Sequence, residues 1–233
     1  MRTWKRNSRL RFRATRSFAR PLGALLGAAI LLFLGATGCT RVTGGSAAST
    51  PASDPAEPVP GIAPTLRERI PPNAVSCVAS PIGSGHPTVA TVSDPAAPRI
   101  TIVVPDEWGS VAGSGDTALT LTGPAGMSAT VTIAPTELTP DSAFLRYTAG
   151  LGGSLARQKF AVHGSPFCGY SSQQLTGTLR GPSGGIDFAD RITHIWTNTK
   201  QYLVSIHMEA PSGAAGFSTA KSTLTQDFTV VIP

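Results

Sequence analysis

The first 39 residues most constrain what this chain can fold into, because they form a leader, removed before the folded domain is complete, and the cysteine that follows it. The first twenty residues contain eight Lys and Arg residues and no acidic residue. An apolar stretch of 13 residues, 22–34, follows. It is shorter than the roughly 20 residues that a helix needs to span a bilayer. Small residues then lead to Cys39, and this order of segments is typical of a secretory signal.

Cys39 makes this leader a lipoprotein signal, in which the processed chain begins at the cysteine and carries acyl chains such as palmitate there. Ala36 stands three positions before it, where Leu is usual, and the absence of an Arg-Arg pair favours Sec export. We therefore predict a signal peptide at 1–38 and a chain anchored by lipid to the extracytoplasmic face of the cell membrane. An uncleaved anchor helix is the alternative, and it gives the same topology.

The net charge of the chain changes once the leader is removed. The complete chain has a formal charge of +6, but the leader contains 8 of the 19 basic residues and none of the 13 acidic residues. The remainder would carry 11 basic and 13 acidic side chains, a net charge of −2. A mildly acidic chain gives no basis for nucleic-acid binding, so we predict no nucleic-acid partner.

Two cysteines, Cys77 and Cys168, remain once Cys39 carries lipid. An even number in an oxidising compartment indicates one disulfide, and two buried free thiols are the alternative. Their sequence separation of 91 would give a stabilisation on the order of 4–5 kcal/mol in the chain-entropy model. Two cysteines do not complete the ligand set of structural zinc, so we predict neither a metal nor a cofactor.

The chain after the leader divides into a tether and one domain. Residues 39–63 are rich in Pro, Ala, Ser, Thr and Gly and nearly free of large apolar side chains. Such a segment cannot bury enough surface to offset its ordering entropy, so we predict a flexible tether. Residues 64–233 have the length of a single folded domain.

Strand patterns dominate this domain, and helical spacing interrupts them. Apolar and polar residues alternate in the predicted strands, whereas a Thr139 N-cap, Pro140 and apolar residues at helical spacing indicate a helix. The predicted strands are 88–92, 100–104, 119–122, 129–133, 160–164, 168–180, 186–196, 201–209 and 228–232, and the predicted helices are 140–157 and 214–224, with one helical turn at 65–70. This order predicts an α+β fold with an antiparallel sheet.

The sequence of residues 99–108 resembles the opening strand of the mycobacterial LpqN-type lipoproteins. In that family an apolar strand precedes a Pro-Asp-x-Trp-like step, which here is Pro105-Asp106-Glu107-Trp108. The lipobox, the Ser/Thr/Pro tether, the helix near 140–157 and the closing residues 228–233 also lie where that family has them. The resemblance covers about residues 88–233.

This resemblance implies a fold similar to that of PsbP, with an antiparallel β-sheet flanked by two or three helices in an α/β/α sandwich. It implies no known enzyme activity. Members look like envelope proteins associated with cell-surface lipid export or host contact. We therefore expect a non-enzymatic, lipid-anchored cell-envelope protein that binds an envelope glycolipid or lipid, or an envelope or host protein. The pair Cys77 and Cys168 departs from the family pattern and leaves open a sensor-like ectodomain stapled by a disulfide.

One serine formally matches a hydrolase motif, because Ser183 is the centre of Gly-Pro-Ser-Gly-Gly at 181–185. A nucleophile elbow needs a strand before it and a helix after it, whereas strands are predicted on both sides here. A hairpin turn therefore fits the residues better. His194 and His207 could line one pocket if their strands pair. An envelope ester hydrolase that uses Ser183 with either histidine is the alternative function.

Five residues are candidates for ligand binding. In a regular strand Asp190 and His194 lie on the apolar face, together with Trp196. A buried carboxylate is costly unless it is paired, so Asp190 indicates either a β-bulge or a polar group in a ligand cleft. Aromatic side chains could line an apolar cleft for an acyl chain or a trehalose-type sugar, and core packing is the alternative. The candidates are Trp108, Asp190, His194, Trp196 and Tyr202.

Overall fold

The computed structural model describes residues 58–64, 69–80, 83–153, 160–181 and 184–233. All of them belong to one compact unit, Ser53–Pro233. The predicted signal peptide, the lipidation site Cys39, most of the predicted tether and the candidate nucleophile Ser183 lie outside the described residues. Those interpretations, and the domain boundary at residue 64, therefore stay predictions.

Strands make up most of the described domain. In chain order they are β1 (Val75–Cys77), β2 (His86–Ala90), β3 (Arg99–Val104), β4 (Gly109–Ala112), β5 (Thr117–Thr122), β6 (Ser128–Thr136), β7 (Phe160–Gly164), β8 (Ser171–Gly181), β9 (Gly184–Trp196), β10 (Gln201–Pro211) and β11 (Thr229–Val231). The two helices of the described part are α1 (Pro140–Gly153), between β6 and β7, and α2 (Phe217–Leu224), between β10 and β11. Neither of these helices has the length and apolar character needed to cross a membrane.

The strands form two antiparallel sheets. The small sheet has the order β1-β11-β3-β2, and the large sheet has the order β4-β5-β6-β10-β9-β8-β7. The long hairpin of β9 and β10 occupies the centre of the large sheet, and its register pairs Trp196 with Gln201 across the turn. The predicted hairpin of β5 and β6 is also present.

The main core lies between the two sheets. Because side chains alternate along a strand, each sheet contributes one apolar face. Ile100 and Ile102 of β3 pack in the same buried cluster as Val131 of β6 and Val204 of β10. Leu224 of α2 joins this cluster, so α2 helps to close the space between the sheets.

Helix α1 covers the opposite face of the large sheet. The carbonyl oxygen of Thr139 accepts the first helical hydrogen bond, from the Ala143 amide at 2.8 Å, as expected of an N-cap residue. Buried Phe144 of the helix packs on Phe188 and Ile192 of β9. The same cluster contains buried Leu175 of β8 and partly buried Phe160 of β7.

The predicted α/β/α sandwich is wrong. The described domain is mostly β, with two sheets and two helices, and a second sheet rather than a helix covers one face of the large sheet. The resemblance implies that sandwich, and the strand patterns do not show that the strands divide into two sheets. Strands β1 and β4 have three and four residues and no alternating apolar pattern. Both strands were missed, and β2, which contains Pro87, was only partly predicted.

Two element boundaries differ from the prediction because of backbone conformation. Strand β8 begins at Ser171 rather than 168, since Cys168 and Gly169 have φ angles of 50° and 78° and form a turn. Helix α2 begins at Phe217 rather than 214, since Gly216 has a φ of 83°. Left-handed backbone of this kind is incompatible with a regular strand or helix.

Cys77 and Cys168 form a disulfide, as the cysteine count indicated. Cys77 ends β1 of the small sheet, and Cys168 lies in the turn that precedes β8 of the large sheet. The disulfide therefore joins the two sheets at one edge, across a sequence separation of 91.

We expect reduction of this disulfide to lower the free energy of unfolding by about 4 kcal/mol, because the unfolded chain regains the entropy of a long loop. Urea unfolding followed by circular dichroism, with and without dithiothreitol, measures the difference. The double variant Cys77→Ser, Cys168→Ser should match the reduced protein and should not respond to dithiothreitol. Equal midpoints for the oxidised and reduced proteins would contradict the expectation.

Candidate functional site

A cluster of charged side chains lies on β9 and β10, on the face of the large sheet that packs against α1. Asp190 of β9 is directly opposite His207 of β10 in an unbroken register, so there is no β-bulge at this position. The Asp190 side chain is fully buried, and its Oδ1 atom lies 2.5 Å from Nδ1 of His207. Glu209, two residues further along β10, places Oε1 2.9 Å from Nε2 of the same imidazole. One histidine is thus held between two carboxylates.

The two carboxylates determine the charge of His207. Burial alone would lower its pKa, but the hydrogen bonds and charges of Asp190 and Glu209 outweigh burial and raise the pKa to about 9. The ring is therefore an imidazolium at neutral pH, and both of its N–H groups donate to carboxylates. Its side chain is 29% exposed, and that of Glu209 is 39% exposed, so the cluster reaches the surface.

Tyr147 of α1 covers the buried side of the cluster. Burial raises the pKa of the Tyr147 hydroxyl, and the nearby charge of Asp190 raises it further. Burial also raises the pKa of Asp190, against the opposing effect of His207. The second carboxylate oxygen of Asp190, Oδ2, is buried and has no hydrogen-bond partner among the described residues.

The cluster of His207, Asp190 and Glu209 is a hydrogen-bonded ion-pair network rather than a catalytic dyad. A protonated His207 with both nitrogens engaged cannot accept a proton from a nucleophile. The nearest hydroxyl on β10, that of Ser205, lies 2.6 Å from Oγ1 of Thr132 on β6. The described residues contain no group of His, Cys, Asp and Glu that could hold a metal ion.

Two other predicted ligand-binding residues lie further along β9. His194 shares the face of Asp190 but is buried, and its Nε2 atom lies 3.0 Å from the carbonyl oxygen of Leu138. Trp196, at the end of the strand, lines a groove of about 590 Å³ together with Arg69. The structure does not bring Trp196 to the charged cluster.

The remaining two candidates lie in the main core. Trp108 is buried there, and its indole packs so closely against Gly123 that a Cβ at that position would lie 2.3 Å from the ring. Tyr202 is fully buried, and its hydroxyl donates to Oδ2 of Asp94 at 2.8 Å. The five candidates therefore do not line a common cavity, and a ligand-binding role for them stays a prediction.

A cavity of about 880 Å³ lies beside the disulfide. It opens on the other face of the large sheet, between the end of β1, the turn before β8 and the end of α2. Residues from five separate stretches of the chain line it, including Cys77, Ser80, His163, Phe167, Cys168, Thr176, Arg191 and Lys221. No local sequence pattern indicates this cavity, because only the fold brings those segments together.

Arg191 is the buried charged residue of this cavity. Its Nη2 atom donates to Oδ1 of Asp227 and to the carbonyl oxygen of Ser165, each at 2.8 Å. Its Nε atom donates to Oγ of Ser172 at 2.8 Å, and its guanidinium lies 4.9 Å from the centroid of the Phe167 ring. Burial lowers the pKa of Arg191, and Asp227 opposes this effect.

We expect the imidazole of His207 to titrate near pH 9. Because this pKa exceeds the ordinary value of 6.5, its contribution to the free energy of unfolding is complete below pH 6.5 and is lost as the pH rises through 9. The loss should be about 3 kcal/mol, because a pKa difference of one corresponds to about 1.4 kcal/mol. Urea unfolding at a series of pH values measures it, and the imidazole NMR signals report the titration directly.

The variant His207→Gln should not lose free energy of unfolding as the pH rises through 9. The variant His163→Gln, which changes an exposed histidine, should still lose it. His207→Gln also leaves Asp190 without its partner, so the NMR titration of the unmodified protein is the decisive measurement. A midpoint near 6.5 would show that the two carboxylates do not hold the proton.

Comparisons with known proteins find similarity among solved structures. No family model matches the chain, and no curated protein matches it. The chain is similar to the crystal structure of LpqN, a protein involved in cell envelope biogenesis of Mycobacterium tuberculosis, with a TM-score of 0.50 and 16% sequence identity. The match covers 63% of this chain and 91% of LpqN. The resemblance seen in the sequence is therefore confirmed at the level of the fold, which is similar to that of LpqN.

Proposed function

We propose that this chain is a non-enzymatic, lipid-anchored cell-envelope protein whose domain binds an envelope lipid or glycolipid. The observation that carries this proposal is the cavity of about 880 Å³ beside the disulfide. Its volume lies in the range of roughly 300–1,000 Å³ that is usual for small-molecule sites. The fold shared with LpqN, a protein of envelope biogenesis, supports the same setting.

The chemistry of the cavity lining fits the polar end of an amphiphile. Phe167 and the disulfide of Cys77 and Cys168 provide an apolar wall, while Arg191 and Lys221 provide charged groups. The wall is covalently fixed, because the disulfide ties the small sheet to the large one. A pre-formed site of this kind loses little conformational entropy when it binds a ligand.

The predicted anchor agrees with this location. If Cys39 carries acyl chains, its sequence separation from Pro58, the first described residue, is 19. Fully extended, that segment reaches at most about 65 Å. The domain would then work above the lipid headgroups while staying attached to the membrane.

The hydrolase alternative gains no support from the described residues. Ser183 lies outside them, and His207 is occupied by two carboxylates. Loss of esterase activity in the variant Ser183→Ala would revive this alternative.

Binding of a partner protein instead of a lipid would leave the cavity empty in the purified protein.

We expect the full chain, purified in mild detergent from the envelope of its own host, to retain a lipid or glycolipid. Native mass spectrometry should show the added mass. The variant Thr176→Trp should lose it, because Thr176 lines the cavity and an indole would fill the space. The matched variant Thr120→Trp, at an exposed position of β5, should keep it. An empty wild-type domain, or an equal mass in both variants, would contradict the proposal.

We expect Cys39→Ala to abolish incorporation of radiolabelled palmitate and to move the protein out of the membrane fraction, because the acyl anchor is lost. Fractionation of cells that express either form measures the change. The double variant Cys77→Ser, Cys168→Ser should still incorporate the label. Unchanged fractionation of Cys39→Ala would favour an uncleaved anchor helix.

A further inference from the structure

We propose that the cavity beside the disulfide binds the phosphate group of its ligand, with Arg191 and Lys221 as the cations that recognise it. The inference rests on the proposed function, which requires only that the cavity binds an envelope lipid or glycolipid. It adds that this ligand is anionic, and it names the side chains that select it.

The Arg191 side chain is held in place by the protein, but one of its N–H groups has no acceptor in the part of the chain that the structure describes. Its side chain is 1% exposed, and its guanidinium has five N–H donors. Four of these bind protein acceptors, the fourth being the Nη1 bond to the carbonyl oxygen of Thr225 at 3.2 Å. The second N–H of Nη1 has no acceptor among the described residues. A buried donor without an acceptor is costly, so an acceptor supplied by a ligand would relieve that cost.

The charged side chains that face the cavity give it a net positive charge. Arg191 and Lys221 are cations, and the lining also contains Asp190 and Asp227. The Asp190 carboxylate points to the opposite face of the sheet, where it pairs with His207. Asp227 compensates Arg191, and Lys221 has no carboxylate within ion-pair distance among the described residues.

Asp227 occupies part of the position that a ligand oxyanion would use. Its side chain is 54% exposed, so it sits at the mouth of the cavity rather than behind Arg191. One of its oxygens binds Nη2 of the guanidinium. A phosphate oxygen that binds the same guanidinium would therefore compete with this carboxylate.

The chemistry favours an oxyanion over an uncharged sugar. A guanidinium matches the geometry of phosphate and can bind two of its oxygens. An uncharged ligand that covered the cavity would partly desolvate Lys221 without giving its ammonium a counter-charge, and that arrangement is unfavourable. The source of the phosphate, a lipid headgroup or a free phosphate compound, is decided by the experiment below.

The test is a calorimetric titration of the full chain in a non-ionic detergent, after removal of any co-purified ligand. The probes are inorganic phosphate, glycerophosphoglycerol as a deacylated lipid headgroup, and glucose as an uncharged control. We expect both phosphate probes to bind, glucose not to bind, and binding to weaken as NaCl is raised. Tighter binding of glycerophosphoglycerol would identify a lipid headgroup, and tighter binding of inorganic phosphate a soluble source.

Two variants of opposite effect make the assignment specific. Lys221→Gln should weaken binding of inorganic phosphate about fivefold, since it removes one charge contact. Asp227→Asn should strengthen it by a similar factor, since it removes the competing carboxylate. Arg146→Gln, the same change of charge at an exposed position of α1, should leave binding within about twofold. Circular dichroism of each variant checks that it is folded.

The proposal is overturned if neither phosphate probe binds, or if Lys221→Gln and Asp227→Asn change the affinity no more than Arg146→Gln does. An uncharged lipid found in the native protein would then leave the proposed function standing while this inference fails. An empty native protein that nevertheless binds phosphate with the expected variant effects would support this inference and contradict the proposed lipid cargo.

Discussion

Two adjacent buried charges in the middle of the large sheet constrain how the rest of the domain packs. Asp190 and Arg191 follow one another in β9, so their side chains point to opposite faces and cannot pair with each other. Each needs its own partner, because an uncompensated buried charge costs several kcal/mol. His207 of β10 supplies one partner, and Asp227, between α2 and β11, supplies the other. A slip of β9 by one residue would place both charges on the wrong face.

Most strands could be predicted from the sequence, but their division into two sheets could not. Alternation along 186–196 and 201–209 identified β9 and β10, which are the centre of the large sheet. The small sheet depends on pairs between distant segments, such as Val75 with Val231, and on strands of as few as three residues. Local alternation predicts β2, β3 and β11 as strands but does not show which strands pair with one another, so the second sheet was missed. The expected helices in its place came from the resemblance.

The partner of Asp190 could have been derived from the sequence, whereas the cavity could not. A turn formed by residues 197–200 pairs residue 196 with 201 and therefore residue 190 with His207, which places the imidazole beside the carboxylate. Tyr202 in a strand and Trp108 just after one are both ambiguous, because an aromatic residue in the sequence does not reveal whether its side chain lies in a core or a cleft. The cavity depends on Lys221 and the Cys77–Cys168 disulfide meeting in space, which no local pattern encodes.

The two faces of β9 differ in what they leave available to a ligand. On the α1 face, both ring nitrogens of His207 bind carboxylates, and the remaining oxygen of Asp190 lies under the helix near Tyr147. On the cavity face, Arg191 keeps a donor without an acceptor, and its counter-charge is half exposed. The disulfide fixes the turn that presents Phe167 to this guanidinium, so the donor keeps its position without a ligand. A pre-positioned and incompletely compensated charge is the physical ground for placing ligand binding on that face.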